Sequence, residues 1–179
     1  MSIVFFEDTS WKNFVPLSYT RSLFDIKIGS LTTFEHFNTK SAKFLTRQYL
    51  EKVTHQRHPD CDVNKFEYNN DDIFINSLFI PCKSFLKKWT VKKDFLLCLK
   101  GKILMGKLKK SNYEYLYESI VHDKVINSRK LSREIFDIKN LDKYGTLYSW
   151  PWDLITHLRD SLCDQLRIKN KVANGAKVI

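Results

Sequence analysis

Ser2-Ile-Val-Phe-Phe-Glu-Asp8 decides the fold: four apolar residues end abruptly in two acids. A continuous apolar run of this length reads as a buried strand. Its acids fall at the carboxyl end, where open α/β sheets gather their ligands. Outward from it, Pro16-Leu-Ser-Tyr-Thr-Arg21 is a polar segment that carries an arginine. Asp25-Ile-Lys-Ile-Gly29 then leads to a turn, and Thr33-Phe-Glu-His36 opens a helix. Between strand and arginine lies Thr9-Ser-Trp-Lys-Asn-Phe-Val15. It holds no glycine, so no glycine-rich phosphate loop follows the strand.

The rest of the chain continues the alternation. Thr32 or Thr33 caps a short helix through Phe37, with Glu35 in its first turn. Ala42 to Leu45 reads as a second strand and Arg47 to Val53 as a helix, and the polar stretch 54–70 as a surface excursion. Asp71-Asp-Ile-Phe-Ile-Asn76 is a strand ended by Asn. Phe95 to Leu108 reads as a β-hairpin turning at Lys100-Gly101. Ser111 to Val121 reads as a helix capped by Ser111 with Glu114 three residues on. Leu131 to Ile138 is a short amphipathic piece, and Tyr144 to Ser149 is extended. Pro151 opens a helix from Trp152 to about Arg167, with Leu154, Ile155, Leu158, Leu162 and Leu166 on one face. Strands interleaved with helices predict an α/β fold, a mostly parallel sheet with an antiparallel hairpin.

Composition bounds the function. With 179 residues, 43% of them hydrophobic and 14% aromatic, the chain fills one core without disulfides. No apolar run reaches the length of a membrane span and no signal peptide precedes the first strand, so a cytoplasmic protein with no membrane partner is expected. A net charge of +10 favours anionic partners, but the positives are scattered and accompany no nucleic-acid-binding signature. Cys98 and Cys163 read as small buried hydrophobes. His55, His58 and Cys61 are the nearest approach to a metal cluster, interrupted by Pro59.

Three constellations carry chemistry. Glu7-Asp8 reads as a metal- or sugar-binding acidic pair, or as a solvated loop that caps a turn. Arg21 and Lys27 suit phosphate oxygens, the first bidentately and the second as a point charge. Asn76, at a strand end, suits a base, a sugar or a backbone partner. Trp150-Pro-Trp152-Asp153 reads as an aromatic wall beside a carboxylate, suited to a sugar ring, or as two core anchors with a helix-starting acid. No nucleophile elbow, catalytic triad, Walker loop or dinucleotide fingerprint is present.

Taken together and in order, Val4-Phe-Phe-Glu-Asp8, Pro16-Leu-Ser-Tyr-Thr-Arg21-Ser22, Asp25-Ile-Lys-Ile-Gly29-Ser-Leu-Thr-Thr-Phe-Glu35, Ile75-Asn76-Ser77 and Pro151-Trp-Asp-Leu154 resemble one family. It is the sugar-nucleotidyltransferase-like domain at the N-terminus of proteins similar to the bifunctional GlcNAc-1-phosphate uridyltransferase/glucosamine-1-phosphate acetyltransferase. The resemblance implies a Rossmann-like nucleotidyltransferase fold of the glycosyltransferase-A type. It implies a nucleoside triphosphate and a sugar 1-phosphate as partners, joined with Mg²⁺ into a nucleotide-sugar and pyrophosphate. By the same resemblance Arg21 and Lys27 take the catalytic cationic role and Asp8 and Asp153 hold the metal. Asn76 and Trp152 bind substrate. A second copy of the chain is compatible with this reading.

The resemblance also implies one domain over 1–168, with 169–179 as a tail that starts a left-handed β-helix. Against the family pattern, Ser22-Leu23 stands where a Pro-Lys pair is usual, and Ser77-Leu78 stands where a Gly-Asp is usual. Two rival readings accompany the enzyme: a catalytically degenerate regulatory or assembly domain of the same fold, and a basic nucleic-acid-binding module.

Overall fold

The computed structural model describes residues 2–37, 39, 42–65, 67–82, 85, 95–131, 135–141 and 143–170. Its centre is a seven-stranded sheet built from β1 (Ile3–Phe6), β4 (Ala42–Leu45), β5 (Asp62–Val63), β6 (Ile73–Asn76), β8 (Phe95–Leu99), β9 (Lys102–Lys107) and β10 (Ile135–Ile138). In space the order is β10-β8-β9-β6-β1-β4-β5. Six strands run parallel and β9 alone opposes them, pairing antiparallel with both β6 and β8. The mostly parallel sheet and its hairpin are as the sequence predicts.

Alternation along β1 explains why every one of its residues is apolar. Ile3 and Phe5 join a core on one face with Phe24, Phe44, Ile75 and Phe79. Val4 and Phe6 join a second core on the other with Leu45, Phe74, Leu116 and Ile120. Helix α3 (Lys110–Val121) covers that second face, whereas α1 (Thr33–His36) lies over the first. A third cluster of Phe14, Leu23, Ile26, Ile28, Leu78 and Tyr148 packs the 9–28 segment against the carboxyl end of the sheet.

Smaller pieces complete the frame. The strands β2 (Lys27–Ile28) and β3 (Leu31–Thr32) form a hairpin, and β7 (Phe79–Pro81) pairs antiparallel with β11 (Gly145–Leu147). Of the two caps the sequence offers, Thr32 is the one used, and Glu35 reaches back to the Thr32 amide to complete a reciprocal capping box. Helices α2 (Glu51–Arg57) and α4 (Ser128–Leu131) flank the sheet.

Several local expectations are corrected. Helix α3 starts one residue early, at Lys110 with Lys109 as its N-cap residue, and Ser111 spends its hydroxyl on Asn112. The stretch 54–70 is more ordered than its polarity suggests: α2 runs on to Arg57, and Thr54, Val63 and Asn64 are buried. Instead of one amphipathic piece, 128–138 holds α4 and the edge strand β10. Cys163 is exposed, although Cys98 is buried as expected. His58 bonds Asp25 at 2.6 Å, and no cluster of three metal-ligating side chains occurs among the described residues. No helix among them is long and apolar enough to cross a membrane. Residues 171–179, on which most of the tail reading falls, lie outside the described residues.

The C-terminal helix departs most. It breaks at His157 into α5 (Pro151–Thr156) and α6 (Leu158–Asn170), and its apolar stripe is divided: Leu154 packs against the third cluster, whereas Ile155 is 76% exposed and Leu166 57%. In α6 a polar residue makes a buried docking contact. Gln165, 4% exposed, donates to the Ile28 carbonyl (2.8 Å) and accepts from the Ser30 amide (2.9 Å) and hydroxyl (2.7 Å). Gly29 sits beneath it at φ 72°, where a Cβ would come within 2.8 Å of the Gln165 amide. Gly29→Ala therefore strains the turn and displaces this contact. The expected loss is about 1–3 kcal/mol, read as a lower midpoint in urea unfolding.

Candidate functional site

The parallel sheet changes direction of winding between β1 and β6, because β4 lies on one side of β1 and β6 on the other. A crevice at the carboxyl ends of two such strands is where doubly wound sheets bind ligands. Here that crevice receives Glu7-Asp8 from β1 and Asn76-Ser77 from β6.

Glu7 and Asp8 divide the work. Glu7 is 1% exposed, and its carboxylate is consumed by the fold. Oε1 accepts from the Arg47 amide (3.0 Å), from Arg47 Nε (3.0 Å) and from the Thr46 hydroxyl, while Oε2 accepts from Arg47 Nη2 (3.3 Å) and the Leu23 amide (3.2 Å). Arg47 is equally enclosed. Its Nη2 also donates to the Ser18 (2.9 Å) and Arg21 (3.4 Å) carbonyls, and its guanidinium lies 4.2 Å over the Trp11 ring and 5.1 Å from that of Tyr49. This pair clamps the 17–25 segment to the end of β1 and so sets where Arg21 stands.

Asp8 is turned to the crevice. Its Oδ1 accepts from the Ser10 amide (2.9 Å), capping the short helical turn Thr9–Phe14, and Oδ2 accepts from Asn76 Nδ2 (2.9 Å). Asn76 is itself fully engaged: Nδ2 also donates to the Ile103 carbonyl (3.0 Å) and Oδ1 accepts from the Leu78 amide (3.0 Å). It holds Asp8 in place from the β6 side. Arg21 and Lys27 are both exposed, and neither side chain has a hydrogen bond or ion pair among the described residues.

The 148–153 segment joins the same rim. The Tyr148 amide donates to the Leu78 carbonyl (2.9 Å), and Asn13 Nδ2 donates to the Ser149 carbonyl (3.1 Å). Asp153 Oδ2 caps α5 by accepting from the Ser149 (2.7 Å) and Trp150 (2.9 Å) amides, leaving Oδ1 open. Trp150 and Trp152 are not core anchors. They are 43% and 58% exposed and stack on one another, centroids 4.9 Å apart and planes within 6°.

Three features escape the sequence reading. One is Arg47, whose signal was present: it stands just past the end of β4 as Asp8 does past β1, and the register Phe6↔Leu45 sets Glu7 beside Thr46-Arg47. Another is an aromatic cleft of about 500 Å³ lined by Trp11, Gln48, Tyr49 and His122, with Asp123 bonding Trp11 Nε1 (2.7 Å) and Lys12 (3.0 Å) behind it. The last is Lys102, partly buried at the start of β9. Burial lowers its pKa and the negative charge of Asp8 opposes that shift. Nothing in sequence spacing separates Lys102 from its basic neighbours.

The architecture is a mixed α/β fold with a large, mostly parallel central sheet of the Rossmann-like nucleotidyltransferase type. The profile of the sugar nucleotidyl transferase family matches residues 3–171, and the chain belongs to that family. Among solved structures, the nucleoside-diphosphate-sugar pyrophosphorylase from Vibrio cholerae RC9 is similar at 12% identity, over 91% of this chain and 100% of that one, with a TM-score of 0.38. No curated protein is significantly similar in sequence.

Proposed function

We propose that this chain joins a nucleoside triphosphate and a sugar 1-phosphate into a nucleotide-sugar, releasing pyrophosphate, in the manner of the uridyltransferase domains its sequence resembles. The observation that supports this best is the placement of Arg21. An exposed guanidinium without a side-chain partner among the described residues stands on backbone that Arg47 ties to Glu7 at the carboxyl end of β1.

The chemistry follows from charge. A sugar-phosphate oxygen forms a bond to the α-phosphorus as the bond to the bridging oxygen of pyrophosphate breaks. Such transfer is governed by positioning and neutralisation of charge. Arg21 and Lys27 would bind phosphate oxygens, Arg21 with its planar fork. Trp152 would stack on the sugar ring, and Trp11 with Tyr49 would seat the nucleoside in the aromatic cleft. Asn76 would act through Asp8, fixing its carboxylate. Asp8 suits Mg²⁺, since each oxygen carries one hydrogen bond and retains a lone pair, and Mg²⁺ commonly takes one or two carboxylates with phosphate oxygens and water. Asp153 Oδ1 is the second candidate ligand on that rim. When bound, the ion would neutralise charge on the phosphates.

Pyrophosphate release from a matrix of nucleoside triphosphates, sugar 1-phosphates and Mg²⁺ tests the reading. One productive pair is expected, and Arg21→Ala lowers its turnover about 10–100-fold, the range of a lost charge-assisted contact. Nucleotide-induced thermal stabilisation without release for any pair would identify a degenerate binding domain instead. Neither release nor stabilisation would refute nucleotide binding altogether.

A further inference from the structure

Glycine-rich phosphate loops work by aiming backbone amides at the ligand. The loop after β1 offers little of this kind. Asp8 itself occupies the Ser10 amide through its side chain and the Trp11 amide through its carbonyl (3.2 Å), so the first turn of Thr9–Phe14 is closed from within. Any phosphate at this edge must find its positive charge elsewhere.

The topology delivers one. Because β9 alone runs against the parallel strands, its first residue lies at their carboxyl edge, on the β6–β9 side of Asp8. That residue is Lys102. Its neighbour Ile103 accepts from Asn76, the same amide that holds Asp8, so Lys102 stands one residue from the Asp8–Asn76 contact. Lys102 is partly buried and feels the Asp8 carboxylate, yet its ammonium forms no ion pair or hydrogen bond among the described residues. An ammonium that gives up hydration without gaining a partner costs stability. Such a position is characteristic of a site kept for a ligand rather than for the fold.

We infer that Lys102 is a phosphate-binding cation of this crevice, standing on the β6–β9 side of Asp8 and supplying from the β8–β9 hairpin the charge that the capped loop withholds. The inference rests on the nucleotide-binding reading above and assigns the polyphosphate of that ligand, rather than its base or sugar, to Lys102.

Thermal unfolding of wild type, Lys102→Met and Lys102→Arg, each titrated with inorganic pyrophosphate and with nucleoside triphosphates, tests it. Without ligand, Lys102→Met is expected to be at least as stable as wild type, since it removes an unpaired, partly desolvated charge. Its affinity for pyrophosphate and triphosphate is expected to fall about tenfold or more, with most of the loss recovered in Lys102→Arg. Unchanged affinity in Lys102→Met overturns the inference and leaves nucleotide binding standing. Should Lys102→Met lose both stability and affinity, Lys102→Arg decides: a guanidinium that fails to restore binding overturns the inference too. If wild type responds to none of these ligands, the inference falls together with the reading it rests on.

Discussion

Arg47→Met should lower the stability of the protein by about 3–5 kcal/mol, the cost of leaving a buried carboxylate without its partner. Side-chain exposure is 3% for Arg47 and 1% for Glu7, so water cannot replace the lost contacts. Glu7 would keep only the Leu23 amide, the Thr46 hydroxyl and the residue 47 amide, while the Ser18 and Arg21 carbonyls lose a donor. For a chain of this size each kcal/mol is worth about 2–4 °C, so the melting temperature is expected to fall by roughly 6–20 °C. Glu7→Gln/Arg47→Met removes both charges and should recover part of the loss. A single variant that melts with wild type would falsify the view that this pair is a structural clamp.

Phe44→Ala is expected to cost about 3–5 kcal/mol, the range for emptying a ring-sized volume in a core. Phe44 is fully buried in β4 and is the hub of an aromatic group. It stacks on Phe24 at 4.4 Å and 21°, meets Phe34 edge-on at 5.4 Å and lies 4.8 Å from His58. With Phe5 at 6.0 Å, its neighbours come from four separate stretches of chain, none able to collapse inward without breaking its own contacts. Urea unfolding with an unchanged slope and a lower midpoint is the expected record. A midpoint within the error of wild type would mean that the cluster repacks around the gap.

How much of this could be read beforehand depends on the range of the interaction concerned. Ile3–Phe6, the Lys100-Gly101 hairpin and the Thr32–Glu35 cap are local patterns, and each was legible from a few adjacent residues. Glu7 shows the limit. Two adjacent acids look equivalent in sequence, and only a partner 40 positions on, set beside them by parallel pairing, consumes one and leaves the other. Lys102 illustrates the same limit, because its value lies in β9 running against its neighbours. The 151–167 stripe misled in part for the opposite reason: helical periodicity was real and Leu154 does pack on the core, but α6 docks through Gln165 on the β2–β3 turn, which no period reveals.

The central position of β1 has a consequence for synthesis of the chain. Its partners are β4, about 40 residues downstream, and β6, about 70 downstream. At translation rates of about 5–20 residues per second, Ile-Val-Phe-Phe emerges roughly 2–8 s before the first strand that can pair with it. A strand enclosed on both faces of the finished sheet therefore waits for its partners with both edges open and both faces apolar. Nascent-chain survival, rather than equilibrium stability, is the quantity on which substitutions in this strand should act first.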